Sequence, residues 1–182
     1  MVEILADAFA ADPFFRWMWS TDARGIRDGV AAWMGLVLDR LQDRAELAIL
    51  PDASAAAVWV HPDRPLEAAD YAAVDSLLAA RLGDRGSVVM AAIAATGPFR
   101  PEARHRTLLY VGVRPSAQGA GAGRRVLAAG LQRTDLDGLP VYLNSTNQRN
   151  VSFYERLGFA KLGEVPVAAD VVLRPMWRAG PS

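Results

Sequence analysis

The chain has 182 residues, of which 52% are apolar, and 20 basic and 20 acidic side chains give a formal net charge of zero. This length and composition allow one domain with a hydrophobic core, and the charge balance argues against a nucleic-acid-binding surface. The absence of cysteine excludes disulfides, thiolate metal sites and cysteine nucleophiles, and two histidines leave little material for a metal site, so we predict none.

The first hundred residues are predicted to be helical apart from one β-hairpin. Apolar residues recur at helical spacing over residues 2–10, and a longer helix follows, capped by Thr21 or Asp22 and ending near residues 40–44. An aromatic cluster at residues 14–19 lies between these helices, in a predicted loop or short helical turn. It either plugs the space between the helices or lines a substrate pocket.

A hairpin and two further helices follow. Residues 45–50 and 55–60 have the composition of strands, and Pro51 with Asp52 forms the turn between them. Helices are predicted at about residues 65–82 and 86–95.

The rest of the chain alternates strands with helices. The predicted order is strand 107–113, helix 120–133, strand 141–143, helix 149–157, and strands near 159–165 and 170–177. The helix between the first two of these strands implies a parallel crossover, so the predicted fold class is mixed α/β.

A turn of small residues follows the strand at 107–113. Three glycines alternate in it: Gly119, Gly121 and Gly123. Such a turn lets the backbone approach a ligand closely, and free N–H groups of the next helix then hold a phosphate. A nucleoside-triphosphate loop is excluded because Arg124 and Arg125 stand where lysine and a hydroxyl are needed, and a dinucleotide fingerprint would need glycine at Val126.

Two segments resemble the GNAT superfamily of acyl-CoA-dependent N-acyltransferases. Residues 118–123, Gln-Gly-Ala-Gly-Ala-Gly, match its Gln/Arg-x-x-Gly-x-Gly/Ala signature, and residues 150–159 resemble its Asn-x-x-x-Tyr-x-x-x-Gly-Phe segment. One helix and one strand separate the two motifs, as in the family. The resemblance covers residues 105–160, and within the family it is nearest to the puromycin N-acetyltransferase-like group.

The resemblance implies a fold and a division of the chain. The expected sheet is mostly antiparallel and twisted, with one parallel strand pair splayed around the cofactor and helices on both faces. A single domain would span 1–182, with an acceptor-side region at 1–100, an acetyl-CoA-binding core at 105–160 and C-terminal strands at 159–178. The family opens with a strand that this chain lacks before its first helix, so the strand is absent or lies upstream, and an exposed sheet edge is expected.

The resemblance also implies acetyl-CoA as co-substrate and a set of residues that bind it. These are Val111, Gly112, Val113, Gln118, Gly119, Ala120, Gly121, Ala122, Gly123, Arg124 and Asn150. The turn amides would wrap the pyrophosphate, while the backbones of Val111 and Val113 would pair with the pantetheine arm. Arg124 would neutralise a phosphate or remain solvated, and Asn150 would contact the cofactor or cap its helix.

The family position of Tyr154 makes it the candidate proton donor to the departing thiolate, and this role is favoured over the alternative of packing on a helix face. The general base is not identified, because Asn144 stands where related proteins often have an acid. His105 or Glu102 would act through water, or the amine would attack already neutral.

The predicted function is transfer of an acetyl group from acetyl-CoA to a primary amine of a small molecule, by direct attack in a ternary complex. The alternatives are a non-catalytic CoA-binding sensor and a peptide or protein N-terminal acetyltransferase. The acceptor site is expected among the first hundred residues, where Asp12 would attract a cationic amine. Its predicted aromatic wall comprises Phe14, Phe15, Trp17, Trp19 and Trp33.

Neither a membrane nor a nucleic acid is an expected partner. No apolar run reaches the roughly 20 residues that a membrane span needs, and the N-terminus lacks the basic start of a secretory signal. We therefore expect a cytoplasmic enzyme with a small-molecule acceptor, and leave open whether it forms a homodimer.

Overall fold

The computed structural model describes residues 1–181, in which helices and strands follow one another in the predicted order. The helices in this range are α1 Val2–Phe9, α2 Pro13–Met18, α3 Ile26–Leu41, α4 Ala68–Leu82, α5 Arg85–Ala94, α6 Ala122–Leu136 and α7 Val151–Glu155. The strands are β1 Ala45–Ile49, β2 Ala55–Val60, β3 Arg106–Val113, β4 Val141–Ser145, β5 Ala160–Lys161, β6 Val165–Ala168 and β7 Val171–Arg178.

The strands form a mixed sheet in the order β1–β2–β3–β4–β7–β5, and β6 pairs with β7 beside it. Every pair of neighbours is antiparallel except β3 and β4, which run parallel and are connected through α6. The expectation of a mostly antiparallel sheet with one parallel pair is therefore confirmed.

Helices cover both faces of the sheet, as expected, and β2 shows this most directly because all of its residues are buried. Ala56, Val58 and Val60 belong to the apolar cluster that includes α1 to α5. The alternate residues, Ala55, Ala57 and Trp59, belong to the cluster of α6 and α7 on the opposite face. The period of two along a strand thus supplies a hydrophobic surface to each helical layer.

The aromatic cluster forms the helix α2, whose start is fixed by Asp12 and Pro13. The Asp12 carboxylate accepts hydrogen bonds from the backbone N–H groups of Phe14 at 3.0 Å and Phe15 at 3.3 Å. Proline at the first helical position needs no acceptor for an N–H, so the two residues together start the helix.

The predicted cap of α3 is wrong. The helix begins at Ile26 after Gly25, which adopts a φ of 88°, and neither Thr21 nor Asp22 caps it. The Asp22 carboxylate instead forms an ion pair with Arg81 of α4. Asp22 therefore pairs with a residue 59 positions away in the sequence and, contrary to the prediction from its local spacing, does not cap the helix.

The predicted strand at 159–165 is also wrong as a single element, because β5 and β6 are separate. Between them the chain passes close to Phe99: a Cβ on Gly163 would lie 2.2 Å from Phe99 Cε1. The predicted helix at 149–157 is shorter than expected, because a 3₁₀ turn at Gln148–Asn150 precedes α7.

Strand β1 lies at an edge of the sheet and pairs with β2 alone among the described strands. Its Leu47 and Ile49 side chains are about half exposed, at 49% and 48%. No strand precedes α1 within the described range. Within residues 1–181, no helix has both the length and the apolar character needed to cross a bilayer.

A glycine inside α6 sets how closely this helix lies on the sheet. A Cβ on Gly130 would lie 2.4 Å from Cε2 of the buried Trp59, so only glycine fits there without movement of the indole. Glycine inside a helix costs about 1 kcal/mol relative to alanine. The close contact between α6 and β2 therefore outweighs helix propensity at this position.

We predict that Gly130→Ala destabilises the protein by about 1 to 3 kcal/mol, since the added methyl group forces Trp59 out of its packing. The matched control is Gly35→Ala in α3, where a Cβ meets nothing within 4 Å. That substitution should stabilise by about 0.5 to 1 kcal/mol. Urea unfolding measures both, and equal effects of the two substitutions would contradict the packing argument.

Candidate functional site

Strands β3 and β4 pair over two residues each and then separate. Their parallel pairing comprises Arg106 with Val141 and Thr107 with Tyr142. The register of β3 against β2 then shifts, since Trp59 pairs with Leu108 but Val58 with Tyr110, which leaves Leu109 as the extra residue of a bulge. A bulge bends its strand, so β3 turns away from β4 and opens a slot between them.

The slot exposes one edge of β3. Beyond Thr107, β3 has β2 on one side, while no described strand pairs with its other side. The backbone groups on that side of Val111 and Val113 are thus not used by the sheet. The bulge lies at Leu109, and no sequence signal marks it.

Gly112 has a packing role in the structure. A Cβ there would lie 2.8 Å from the Ala8 Cβ and 3.0 Å from Leu5 Cδ2, so glycine lets α1 lie directly on β3. Gly123 is similarly close to another element, since its Cβ would lie 3.4 Å from Phe153 Cζ. These two glycines bring α1 and α7 close to the slot and to the turn.

The two glycines in the turn itself are required by backbone conformation. Gly119 has a φ of 80° and Gly121 a φ of 78°, which L side chains rarely adopt. A Cβ at either position would meet nothing within 4 Å. The backbone therefore turns sharply beneath open space.

Six consecutive backbone N–H groups in this turn, those of residues 119–124, donate to no acceptor within residues 1–181. They lead into α6, whose first hydrogen bond across the boundary runs from the Arg125 N–H to the Gly121 carbonyl at 3.1 Å. The first N–H groups of a helix lack intrahelical acceptors and point outward. Residues 119, 120, 121 and 124 are exposed, Gly123 is half-buried and Ala122 is buried.

Side chains around the turn hold it and supply positive charge. The Gln118 amide donates to the Val113 carbonyl at 3.2 Å, which ties the turn to the end of β3. Arg124 is exposed and forms no ion pair with any described residue, whereas Arg125 lies 4.0 Å from Asp52. Arg124 thus has a guanidinium free to meet an anion at the start of α6.

A cavity of about 470 Å³ adjoins the slot. Val111 of β3, Leu143 to Ser145 of β4 and the following Thr146 line one side, and aromatic and aliphatic side chains of the helices line the other. Phe14, Phe15 and Trp33 contribute to this wall as predicted. Trp17 and Trp19 do not line the cavity: Trp19 is fully buried and packs on Gly29, and Arg85 stacks over Trp17.

Asp12 does not line the cavity, contrary to expectation. Its carboxylate is buried, caps α2 and accepts a hydrogen bond from the Thr146 hydroxyl at 2.6 Å. Burial raises the pKa of Asp12 above its usual range, although these hydrogen bonds oppose that shift. This residue therefore joins the α1–α2 corner to the end of β4 and presents no free charge to an amine.

Tyr154 and Asn150 line the cavity from the side of α7. Tyr154 is 7% exposed and its hydroxyl has no hydrogen-bond partner within residues 1–181. Burial, and to a lesser extent the nearby Asp12 carboxylate, raises the pKa of this phenol, which stays protonated at neutral pH. The Asn150 side chain does not cap α7.

Asp70 is the carboxylate that the cavity wall contains, and it is already paired. Arg40 lies 3.1 Å and Arg44 2.8 Å from Asp70 Oδ1, and the Glu67 backbone N–H donates to the other oxygen. The hydrogen bond from Arg44 is the main cause that lowers the pKa of Asp70 from 3.8 to about 2. A carboxylate this acidic is a poor proton acceptor.

The other candidates for proton transfer lie outside the cavity or are engaged. His105 packs against Trp177 and its Nδ1 lies 2.6 Å from the Ala103 carbonyl oxygen, while burial lowers its pKa. Neither His105 nor Glu102 lines the cavity. Asn144 accepts a hydrogen bond from the Tyr142 hydroxyl at 3.0 Å.

Comparison with known proteins agrees with this geometry. The family model described as Acetyltransferase (GNAT) family matches residues 47–159. A mycothiol acetyltransferase of Streptomyces avermitilis is 48% identical over 56 residues, which are 29% of this chain and 18% of that protein. One from Salinispora arenicola is 45% identical over 58 residues, 29% of this chain and 19% of that protein. These matches span less than a fifth of the relatives' length.

Solved structures share the fold. A Corynebacterium glutamicum protein described as histone acetyltransferase HPA2 and related acetyltransferase has a TM-score of 0.72 and 25% identity, over 100% of this chain and 90% of that one. PH1933 from Pyrococcus horikoshii has a TM-score of 0.59 and 15% identity, over 100% and 91% of the two chains. The narrower resemblance to the puromycin group stays a prediction.

We predict that Gly121→Val weakens CoA binding at least tenfold, because a β-branched residue strains the left-handed backbone and covers the exposed amides. Gly138→Val is the matched control, since Gly138 also has a positive φ, of 65°, and open space around its Cβ. Calorimetric titration with CoA measures the effect. Equal CoA affinity in the two variants would refute the role of the turn.

Asp70→Asn should destabilise the protein at neutral pH by about 1 to 2 kcal/mol through loss of the ion pairs. A lowered carboxyl pKa stabilises the folded state above pH 4, and this stabilisation is lost as pH falls towards 2. Urea unfolding from pH 7 to pH 2 should therefore show the two proteins converging. A difference that is constant with pH would contradict the assignment.

Proposed function

Since this chain belongs to the GNAT family of acetyltransferases, we propose that it transfers an acetyl group from acetyl-CoA to a primary amine of a small molecule. The observation that carries the proposal is the run of six free backbone N–H groups at residues 119–124, beside a parallel strand pair that opens after two residues. These are the features that a long, anionic and partly peptide-like co-substrate requires.

The turn fits the pyrophosphate of CoA. Residues 119–123 offer consecutive amide donors, and Arg124 adds a positive charge at the same place. One charge at a helix terminus is worth about 0.3 to 1 kcal/mol, so several amides must act together to hold the group. The edge of β3 that faces the slot fits the amides of the pantetheine arm, which would lie there as an additional strand. Val111 offers backbone groups at this edge, whereas the Val113 carbonyl already accepts from the Gln118 amide.

When bound, acetyl-CoA supplies the acetyl group as an activated thioester. The neutral amine nitrogen of the acceptor forms a C–N bond to the acetyl carbonyl carbon while the C–S bond breaks. One proton leaves the nitrogen, and one proton must reach the thiolate sulfur. We take both substrates to be present together, because Val111 of β3 and Asn144 of β4, which border the slot, also line the cavity.

We assign to Tyr154 the donation of the proton that the thiolate sulfur receives. Tyr154 lines the cavity, and its hydroxyl has no hydrogen-bond partner within the described range. The hydroxyl keeps its proton because burial raises its pKa. Asn150, one helical turn earlier and on the same wall, is proposed to contact the co-substrate. Removal of the amine proton is assigned to no side chain, because Asp70 is paired with two arginines.

A small-molecule acceptor is favoured over a protein. The cavity proposed for the acceptor has a volume of about 470 Å³ and is walled on both sides of the slot, so its size suits a small molecule. The curated relatives are acetyltransferases named for mycothiol, a small molecule, which supports the same class of acceptor.

The direct test is release of free thiol from acetyl-CoA across a panel of primary amines, with a peptide bearing a free N-terminus included. We expect thiol release with one class of small amine and none without an amine. CoA binding with no thiol release for any acceptor would overturn the enzyme assignment in favour of a CoA-binding protein, and turnover of the peptide alone would overturn the acceptor assignment.

Tyr154→Phe should lower kcat by about 10² to 10⁴-fold, the usual contribution of a positioned acid, and leave CoA affinity nearly unchanged. The variant should fold as the wild type does, because the removed hydroxyl makes no hydrogen bond within the described range. Thermal unfolding checks this.

The pH profile gives a second readout of the same assignment. Because the pKa of Tyr154 is raised, wild-type kcat should not fall through ionisation of this residue below pH 10. An alkaline fall below pH 10 that disappears in Tyr154→Phe, or an unchanged kcat in that variant, would remove Tyr154 from proton transfer.

A further inference from the structure

The cavity wall contains a guanidinium without a carboxylate partner. Arg100 lines the cavity, and it forms no ion pair within residues 1–181. Its Nη2 donates to the Thr107 hydroxyl at 2.8 Å, and its Nε lies 3.4 Å from His105 Nε2. Its remaining nitrogen, Nη1, has no hydrogen-bond partner within that range.

The three contacts that Arg100 makes within the described part of the chain are with uncharged groups. Thr107 is neutral, the pKa of His105 is lowered by burial, and the third contact is the Tyr142 ring, whose centroid lies 5.5 Å from Arg100 Cζ. The charge of Arg100 is therefore oriented but not neutralised. Arg40, the other arginine of the wall, differs because it pairs with Asp70.

The charged side chains that line the cavity within the described range are Arg40, Asp70 and Arg100. Asp70 is the one carboxylate among them and is shared by Arg40 and by Arg44 outside the wall, so the wall carries an excess positive charge, and Arg100 is its arginine without an ion pair within residues 1–181. A polycationic acceptor is disfavoured by this charge, whereas an acceptor with an anionic group is attracted.

Arg100 also lies where the acceptor must meet the thioester. Thr107 and Tyr142, which it contacts, form the last pair before β3 and β4 part. The guanidinium is thus at the closed end of the slot, on the same cavity as the aromatic wall of Phe14, Phe15 and Trp33.

We propose that Arg100 binds a carboxylate of the acceptor, so that the substrate is an amine bearing a carboxylate and an apolar or aromatic side chain. The planar guanidinium matches a carboxylate, and a half-buried site strengthens the contact. Apolar parts of the acceptor would pack against Phe14, Phe15 and Trp33. This inference rests on the proposed acetyl transfer and names the class of acceptor.

The test compares matched acceptors and matched variants. The probes are phenylalanine, leucine, methionine and tryptophan, each beside its primary amide, which keeps the amine and side chain but removes the negative charge. The variants are Arg100→Gln and, as control, Arg104→Gln, which alters an exposed arginine of the same connection that pairs with Asp63 outside the cavity.

The measured quantity is kcat/KM for each acid divided by that for its amide. The ratio should fall at least tenfold in Arg100→Gln, mainly through KM for the acid, and remain as in wild type in Arg104→Gln. Amine pKa differences between acid and amide cancel when variants are compared. A purely structural role of Arg100 would lower acid and amide turnover equally.

Two results would overturn the inference while leaving acetyl transfer intact. One is an acid-to-amide ratio of kcat/KM that is unchanged in Arg100→Gln. The other is a wild-type protein that turns over amides and simple amines but no acids. A second readout needs no turnover. N-acetylphenylalanine should quench or shift the tryptophan fluorescence of the wild type, because Trp33 lines the cavity, and it should bind at least tenfold more weakly to Arg100→Gln. Equal binding of N-acetylphenylalanine and its amide would contradict the carboxylate contact.

Discussion

The early separation of β3 and β4 is the constraint on which the site depends. A parallel pair that continued would satisfy its own backbone groups and leave no room between the strands. The bulge at Leu109 prevents this, because it turns β3 away after the pair formed by Thr107 and Tyr142. The free edge of β3 and the cavity follow from that separation, and the turn before α6 lies just beyond the end of β3.

Packing on both faces keeps the separated strands in place. On one face, Gly112 lets α1 lie against β3, and Asp12 connects the α1–α2 corner to Thr146 at the end of β4. On the other face, Gly130 brings α6 onto Trp59 of β2. Glycines at close contacts and one buried carboxylate therefore position the start of α6 relative to the slot.

The sequence predicted the elements that have local signals and missed those set by distant contacts. The order of helices and strands, the parallel pair and the glycine turn followed from periodicity and the two motifs. The bulge at Leu109, the pairing of Asp22 with Arg81, and the burial of Asp12 depend on residues far apart in the chain. Arg100 could not be singled out among the many arginines, because the fold alone determines that it has no carboxylate partner among residues 1–181.

The central claim is that the free amides of residues 119–124 hold the CoA pyrophosphate while the edge of β3 holds the pantetheine arm. Backbone amide NMR during titration with CoA, and separately with pantetheine, tests it most directly. CoA should shift the amide resonances of the turn and of Val111 and Val113, whereas pantetheine, which lacks the pyrophosphate, should shift only those of β3. Saturable CoA binding that leaves the resonances of residues 119–124 unchanged would contradict the account.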